Sequence, residues 1–440
     1  MTKQRSFYIY TLGCKVNRCE SEAVSDLLCD SGRYFALTDD EKYRADISII
    51  NSCMVTEESE KKARKIMRRI KRENPDTMIL LCGCIPQAAP EKAASMGADV
   101  ICGNKNRRKI LSLIDEFFEA KEKTFINGVE PHLKGDKFEL LAPKIYKKLT
   151  RANLKIQDGC NRFCAYCIIP YARGDLRSLP LEEVYAQAKA LVDSGHREIV
   201  LNGINLGLYG EDSGTTLAEA VKKVSEAGAE RIRLGSLEVD LLTEELLRAL
   251  SEIKGFCPHF HASLQSGSDN VLKRMNRRYT KAEYTEIIGN VRKIFRNASI
   301  TTDIIVGFEG ETEEEFAESV EFCREIGFLK IHVFPYSMRE GTEAAKSKAQ
   351  IPDNIKKRRA ARMAEVGAEL YEKYCASQVG KTLRVLFETY ENGCWLGHSE
   401  NFVYVKVRTD EDLKNTVRDV VIVDCQWGRG EDTVPEGRLV

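Results

Sequence analysis

The stretch L-K-I-Q-D-G-C-N-R-F-C-A-Y-C-I-I-P-Y-A-R-G (Leu154–Gly174) decides the reading of this chain. A β-rich run, Leu154–Gln157, leads straight into Cys160, Cys164 and Cys167, spaced C-x3-C-x2-C. Three thiolates so close in sequence can wrap one metal centre, and soft thiolates select zinc or an iron–sulfur cluster. A closed structural zinc site takes four ligands, and no fourth Cys or His lies nearby. An iron–sulfur cube held by three cysteines leaves one iron open for a substrate ligand. Zinc completed from elsewhere, or three cysteines on an exposed loop by chance, are the competing readings.

Outward from this loop the pattern is alternating β and α. Downstream, Glu198–Asn202, Arg231–Leu234, Cys257–Leu264, Ile300–Val306 and Ile331–Pro335 read as strands, with helical patterns such as Leu181–Ser194 and Thr312–Ile326 between them. About six βα units predict a partial or full barrel of parallel strands, with its chemistry at the C-terminal strand ends. Upstream, Ser6–Thr11, Asp46–Asn51, Thr77–Cys82 and Val100–Gly103 alternate with helices such as Glu57–Glu73, which predicts a second, small parallel sheet. Asn127–Thr150, with Gly128, Pro131, Gly135 and Pro143, reads as a linker or crossing segment. A charged helix over Asn354–Ala376 precedes three β-alternating runs, T-L-R-V-L-F-E, F-V-Y-V-K-V-R and D-V-V-I-V-D, which predict a small all-β module. The predicted division is an N-terminal α/β domain (1–135), a linker (136–149), a (β/α) partial barrel (150–375) and a β domain (376–440).

Composition narrows the class. The chain has 440 residues, 15 cysteines and 67 residues of each charge sign, so global charge points to no partner. A disulfide scaffold would be smaller and richer in cysteine. Met1–Cys14 lacks the apolar region of a signal peptide, and no apolar run approaches the length of a membrane span. The expectation is a cytoplasmic protein with reduced thiols and no membrane partner. Some of its cysteines serve as ligands.

The loop C-x3-C-x2-C at the start of a βα barrel resembles that of the radical S-adenosylmethionine (SAM) enzymes. The resemblance implies a 4Fe–4S cluster on Cys160, Cys164 and Cys167, with SAM on the open iron and cleaved to a 5′-deoxyadenosyl radical. The aromatic residue before the last cysteine, Tyr166, would lie near the adenine.

Three more cysteines follow N-terminal β runs: Cys14 in T-L-G-C-K-V-N, Cys53 in I-I-N-S-C and Cys84 in L-C-G-C. A parallel sheet would bring all three to one edge. From spacing alone, buried free cysteines remain an equal reading. The order of both triads is similar to that of the methylthiotransferases, and the resemblance spans essentially the whole chain. It implies a second 4Fe–4S cluster on Cys14, Cys53 and Cys84, and a TRAM-like barrel in the tail. Cys82 would share Cys84's face on a regular strand, but the family pattern selects Cys84. Cys19, Cys29, Cys102, Cys257, Cys323, Cys375, Cys394 and Cys425 match no ligand position.

T-L-G-C-K-V-N-R-C-E-S-E (Thr11–Glu22) resembles the branch that methylthiolates carbon 2 of N6-threonylcarbamoyladenosine at position 37 of tRNA. That branch implies two uses of SAM, a tRNA anticodon stem-loop as partner, a reducing electron donor and a sulfur source. Isopentenyladenosine in tRNA and a ribosomal-protein aspartate are the alternative substrates of the family. A non-catalytic metal-bound RNA-binding protein is the alternative of another class. Leu179, Gly235, Ser263 and Glu309 depart from the usual family residues.

The same resemblance marks Gly203, Asn205, Glu238, Gln265, Asp303 and Gly307 as SAM contacts, with Glu238 on the ribose hydroxyls. Isolated strand-end polar residues serve as helix caps equally well. His259, His261 and His332 sit in β runs and read as satisfied core residues. Lys61–Arg72 carries eight basic residues in twelve, with Ala63, Ile66, Met67 and Ile70 in one apolar stripe. It reads as a solvated helix face or as a phosphate-contact surface. Residues 1–135 are net +3 and 376–440 net −3, an opposition of sign within a chain of zero net charge.

Overall fold

The computed structural model describes residues 4–122, 124–143, 150–425 and 433–440. Residues 144–149 of the expected linker and 426–432 of the tail lie outside them. The chain folds as two compact units. The first comprises 1–145, 153–179 and 337–345; the second comprises 146–152, 180–336 and 346–440.

The first unit is built on a parallel six-stranded sheet. In chain order its strands are β1 (Arg5–Thr11), β2 (Tyr34–Ala36), β3 (Ile47–Ser52), β4 (Met78–Gly83), β5 (Val100–Cys102) and β6 (Ile126–Asn127), arranged β2-β1-β3-β4-β5-β6. Every residue of β3 and β4 is buried; β4 reads accordingly as an apolar run, M-I-L-L-C-G, while β3 also buries Ser48, Asn51 and Ser52, each hydrogen-bonded. Helix α1 (Lys15–Asp30) follows β1 and α2 (Glu57–Glu73) follows β3. Thr56 caps α2 by accepting from the Ser59 amide, and acidic residues fill the first turn, so the helix starts where the sequence places it. The two faces of the sheet carry separate cores, Ile50–Cys53–Ile79–Leu81–Cys84 on one and Phe7–Ile49–Leu80–Cys82–Cys102 on the other.

Register sets the functional edge. Thr11 pairs with Asn51, and Ser52 with Gly83. Cys14, Cys53 and the first residue of α3 (Cys84–Ala88) therefore emerge at the same end of the sheet. Gly83 has φ +95, and a Cβ there would lie 2.5 Å from the Ser52 carbonyl oxygen, so only glycine permits this turn. That turn also corrects the expectation for Cys82. Strand alternation ends at Gly83, and Cys82 and Cys84 enter opposite cores.

The cysteine loop of the first unit is flanked by β8 (Gln157–Asp158) and β9 (Arg177–Ser178), which pair antiparallel; β7 (Arg151–Lys155) leads into them. In the second unit β10 (Glu198–Asn202) pairs parallel with β11 (Arg231–Leu234). A parallel set follows: β12 (Ser236–Glu238), β13 (His259–Ser263), β14 (Ser299–Val306) and β15 (Lys330–Pro335). Glu238 thus ends its own short strand, not the Arg231–Leu234 strand. The break falls at Gly235, where a Cβ would meet Asn202 Oδ1 at 3.0 Å. Capping boxes at Thr216/Glu219, Thr280/Glu283 and Thr312/Glu315 fix three helix starts.

Helix Asp353–Ala376 leads to a closed barrel of β16 (Thr382–Glu391), β17 (Cys394–Ser399), β18 (Tyr404–Val407), β19 (Val417–Asp424) and β20 (Glu436–Leu439) around Leu383, Val385, Phe387, Val405 and Ile422. Among the described residues no helix is long and apolar enough to cross a membrane.

Candidate cofactor sites on two cysteine triads and a row of strand ends

The first triad gathers around backbone that has no room for side chains. Gly13 has φ +97, and a Cβ there would lie 2.5 Å from Cys53 Cβ and 2.8 Å from Cys53 Sγ. The glycine lets the Cys14 turn close onto Cys53. Cys53 and Cys84 are buried, while Cys14 retains solvent access. Burial pushes the Cys53 thiol up to about 12, and Cys84 and Cys14 raise it further, so the three sulfurs share one electrostatic neighbourhood. A soft three-thiolate set fits an iron–sulfur cube with an open iron. Among the described residues no three Cys, His, Asp or Glu side chains crowd closely enough to share a single metal ion. A cube spreads its ligands over several irons.

Asn17 organises this edge. Its amide donates to the Leu12 and Ser52 carbonyls at 2.8 and 3.0 Å, and its Oδ1 lies 3.7 Å from Cys14 Sγ. Asn104 Nδ2 lies 3.7 Å from Cys84 Sγ and donates to the Ala172 carbonyl at 2.8 Å. His132, from the expected linker, meets Asn104 Oδ1 at 2.9 Å. Burial lowers His132 to about 4, so the ring is neutral near pH 7.

A buried ionic network lies beside the triad. Glu20 binds Arg173, Arg107 and Lys155, at 2.8, 2.7 and 2.8 Å. Asp158 binds Lys155 and Arg173, at 2.6 and 3.1 Å. Burial alone would raise Glu20, but Arg107, Arg173 and Lys155 outweigh it and hold the carboxyl at about 2. None of these residues stood out in the sequence. Charged side chains read there as surface.

The second triad sits on the loop between β8 and helix Ile169–Arg173, with all three cysteines half-buried. The loop is held by main-chain bonds: Cys160 N–H to the Gly174 carbonyl (3.1 Å), Cys167 N–H to Cys164 (2.9 Å) and Ala344 N–H to Ala165 (2.8 Å). Gly159, at φ +74, would put a Cβ 1.9 Å from the Asp175 carbonyl oxygen. Phe163 adopts φ +48 and meets Tyr171 edge-on at 6.0 Å, both rings about half exposed. Tyr166 stays half-buried on the same loop. No cysteine of the described residues is in a disulfide.

In the second unit, Gly203 lies just past β10. Asn205 Nδ2 donates to Glu238 Oε2 at 2.8 Å, so two of the expected SAM contacts meet. Arg277, not foreseen from sequence, pairs with Glu238 Oε1 at 3.0 Å. Gln265 adopts φ +68, costly for a non-glycine, and is pinned between Asp303 and Ile305 by main-chain bonds of 2.9 Å each. Asp303 Oδ2 lies 3.2 Å from His261 Nε2. His261 and His259 both reach Thr301 Oγ1 at 2.9 Å, each through one ring nitrogen. Gly307 donates to Glu311 at 2.7 Å, and a Cβ there would meet Lys356 Cγ at 2.5 Å. Glu309, where the family usually has proline, accepts from Ser347 at 2.7 Å.

On α2 part of the positive charge is matched: Lys61 pairs with Glu57, Arg64 with Glu60 and Lys71 with Asp99. Arg69 lies over the Tyr43 ring. Lys62, Lys65, Arg68 and Arg69 remain solvent-facing.

Comparison with known proteins places these features. Residues 154–323 match the Radical SAM superfamily and residues 6–103 the uncharacterized protein family UPF0004. A Bacillus subtilis protein named threonylcarbamoyladenosine tRNA methylthiotransferase MtaB is 40% identical over 96% of this chain and 94% of its own length. A Thermotoga maritima protein of the same name is 36% identical over 97% and 98%. A Clostridium botulinum protein named tRNA-2-methylthio-N(6)-dimethylallyladenosine synthase is 34% identical over 87% and 86%. Among solved structures, the radical SAM methyltransferase TsrM from Kitasatospora setae shares the fold, with TM-score 0.57 and 14% identity over 78% of this chain and 74% of that one. The chain is a radical SAM enzyme of the methylthiotransferase family, with SAM and 4Fe–4S clusters as its cofactors.

Proposed function

We propose that this enzyme adds a methylthio group to carbon 2 of N6-threonylcarbamoyladenosine at position 37 of tRNA. The observation that carries the reading is 40% identity, over nearly the whole of both chains, to a protein bearing that activity in its name. Lys15 and Val16, in the motif Lys15-Val16-Asn17 after the first cysteine, support it, since the alternative branches typically have Q-M or P-K before the same asparagine. Exposed Lys62, Lys65, Arg68 and Arg69 support an RNA partner, since phosphate contacts need unmatched cations. Isopentenyladenosine is the second reading, favoured by the relatives at 34% identity.

We assign Cys160, Cys164 and Cys167 to the cluster that binds SAM, and Cys14, Cys53 and Cys84 to a second cluster. Bound SAM and cluster supply a hydrogen-abstracting radical and, in a second use, a methyl group; the hard chemistry is the cofactor's. The chain's residues orient and exclude water. Tyr166 offers an aromatic face to the adenine. Glu238, braced by Asn205 and Arg277, keeps acceptor capacity for the ribose hydroxyls. Gly203, Gln265, Asp303 and Gly307 serve the rest of SAM. Residues 1–135, 150–375 and 376–440 act as the second-cluster, radical and RNA-handling domains, joined through 136–149. An electron donor, a sulfur source and a cytoplasmic location complete the proposal. Mass spectrometry of nucleosides from a deletion strain tests it: methylthio-threonylcarbamoyladenosine should vanish, returning with the wild-type gene but not with Cys164→Ala. Its persistence would refute the reading.

A further inference from the structure

Arg173 is among the most deeply buried side chains of the first unit, at 1% exposure. Four of its five N–H bonds have partners. Nη1 donates to Glu20 Oε1 and Asp158 Oδ1; Nη2 donates to Asn17 Oδ1 and Glu20 Oε2. Nε–H has no partner. A buried donor left unmade is destabilising by about 1–3 kcal/mol, and native proteins avoid it unless something fills the place. The group lies in electrostatic range of Cys84, Cys14 and Cys53 together. Through Asn17 the same guanidinium is tied to the Cys14 turn and to the Ser52 carbonyl beside Cys53.

The charge around it is not cancelled. Arg173, Arg107, Lys155 and Arg177 are four cations that meet the three carboxylates of Glu20, Asp158 and Glu139. A buried excess of positive charge calls for an anion, and a cube bound by three thiolates is one. Its negative charge grows on reduction, so a neighbouring cation raises its potential.

We propose that Arg173 is a positioning residue for the cluster on Cys14, Cys53 and Cys84, donating its Nε–H to a cluster sulfur and raising the cluster's reduction potential. The inference rests on the assignment of that triad to a cluster. The sequence offers no hint of it, because Arg173 belongs to the segment that follows the other triad.

The test uses the full chain with Cys160, Cys164 and Cys167 all changed to alanine, so that one cluster remains. Protein grown on ¹⁵N-labelled arginine and reconstituted anaerobically with iron and sulfide should hold about four irons. Pulsed paramagnetic resonance of the reduced cluster should then show ¹⁵N coupling that Arg173→Lys abolishes. In the charge-balanced variant Arg173→Gln/Glu20→Gln, the reduced-to-oxidised ratio at the parent's midpoint should fall about tenfold, a shift of about 59 mV for one electron. Failure to load iron would refute the triad assignment and the proposal with it. A loaded cluster with no ¹⁵N coupling, or with a coupling that survives Arg173→Lys, refutes the role of Arg173 alone. An unchanged potential in a loaded double variant does the same.

Discussion

Glu198 offers the sharpest stability prediction. It lies in β10 with no exposed surface, between two guanidinia that are themselves 1–2% exposed. Arg231 Nε lies 2.7 Å from one carboxylate oxygen and Arg233 Nε 2.8 Å from the other. Both arginines then reach carbonyls of the C-terminal barrel. Arg231 donates to Arg384, His398 and Ser399, and Arg233 to Ser399 and Glu400. One carboxylate thus bridges two cations whose other donors grip barrel backbone. Glu198→Gln keeps the shape and leaves two buried like charges face to face. Breaking a buried pair by removing one partner typically costs about 3–5 kcal/mol. At roughly 2–4 °C per kcal/mol, the melting transition should fall by about 6–20 °C. Trp395, 9% exposed in the barrel core, reports the transition by fluorescence in a Trp427→Phe background. A shift equivalent to less than about 1 kcal/mol would refute the reasoning, and would mean that the barrel carbonyls alone hold both arginines.

The pH dependence sharpens the test. Burial would raise the Glu198 carboxyl, but Arg233 and Arg231 hold it well below the ordinary carboxylate range. A native carboxyl lower than its unfolded counterpart contributes stability that is complete above the unfolded value, about 4.3. The contribution shrinks as pH falls below that value and is gone once pH has fallen through the depressed native value. The gap between wild type and Glu198→Gln should therefore be flat from pH 8 to 6 and close only in strong acid.

The remaining predictions concern the sites. Changing Lys62, Lys65, Arg68 and Arg69 to alanine should lower the slope of log K against log salt for tRNA binding by about 3, at 0.7–0.9 per phosphate contact; an unchanged slope would return α2 to a plain solvated face. Gly13→Ala, forced against Cys53 at a positive φ, should cut iron from about eight to about four per chain, while retention of all eight would contradict the tightness of that turn. Glu238→Gln should weaken SAM binding roughly 10- to 100-fold by equilibrium titration, the value of one charged hydrogen bond of about 1.5–3 kcal/mol, and full affinity would remove Glu238 from the site.

What the sequence disclosed, and what it hid, divides along one physical line. Buried parallel strands announce themselves by an apolar centre, I-I in β3, M-I-L-L-C in β4 and I-V-L in β10, so these three were legible. Helix α2 was legible at both ends, because Thr56 caps one and its amphipathic stripe runs to the other. Strands β17 (C-W-L-G-H-S) and β20 (E-G-R-L) were missed; they are short, mixed in polarity and interrupted by glycine, and only barrel closure makes them strands. The cysteines were legible by spacing, yet their faces were not, since the turn at Gly83 depends on a torsion that alternation cannot foresee. Least visible were Glu20, Arg107, Arg173, Glu198, Arg231 and Arg233. A charged residue in an isolated segment reads as solvated, and nothing local shows that its partner arrives from elsewhere in the chain. Equal totals of acid and base conceal the same fact. A zero sum is compatible with a uniformly solvated surface and with buried charges matched pair by pair. Only the fold distinguishes them, and here it places the unmatched remainder of one network beside three thiols.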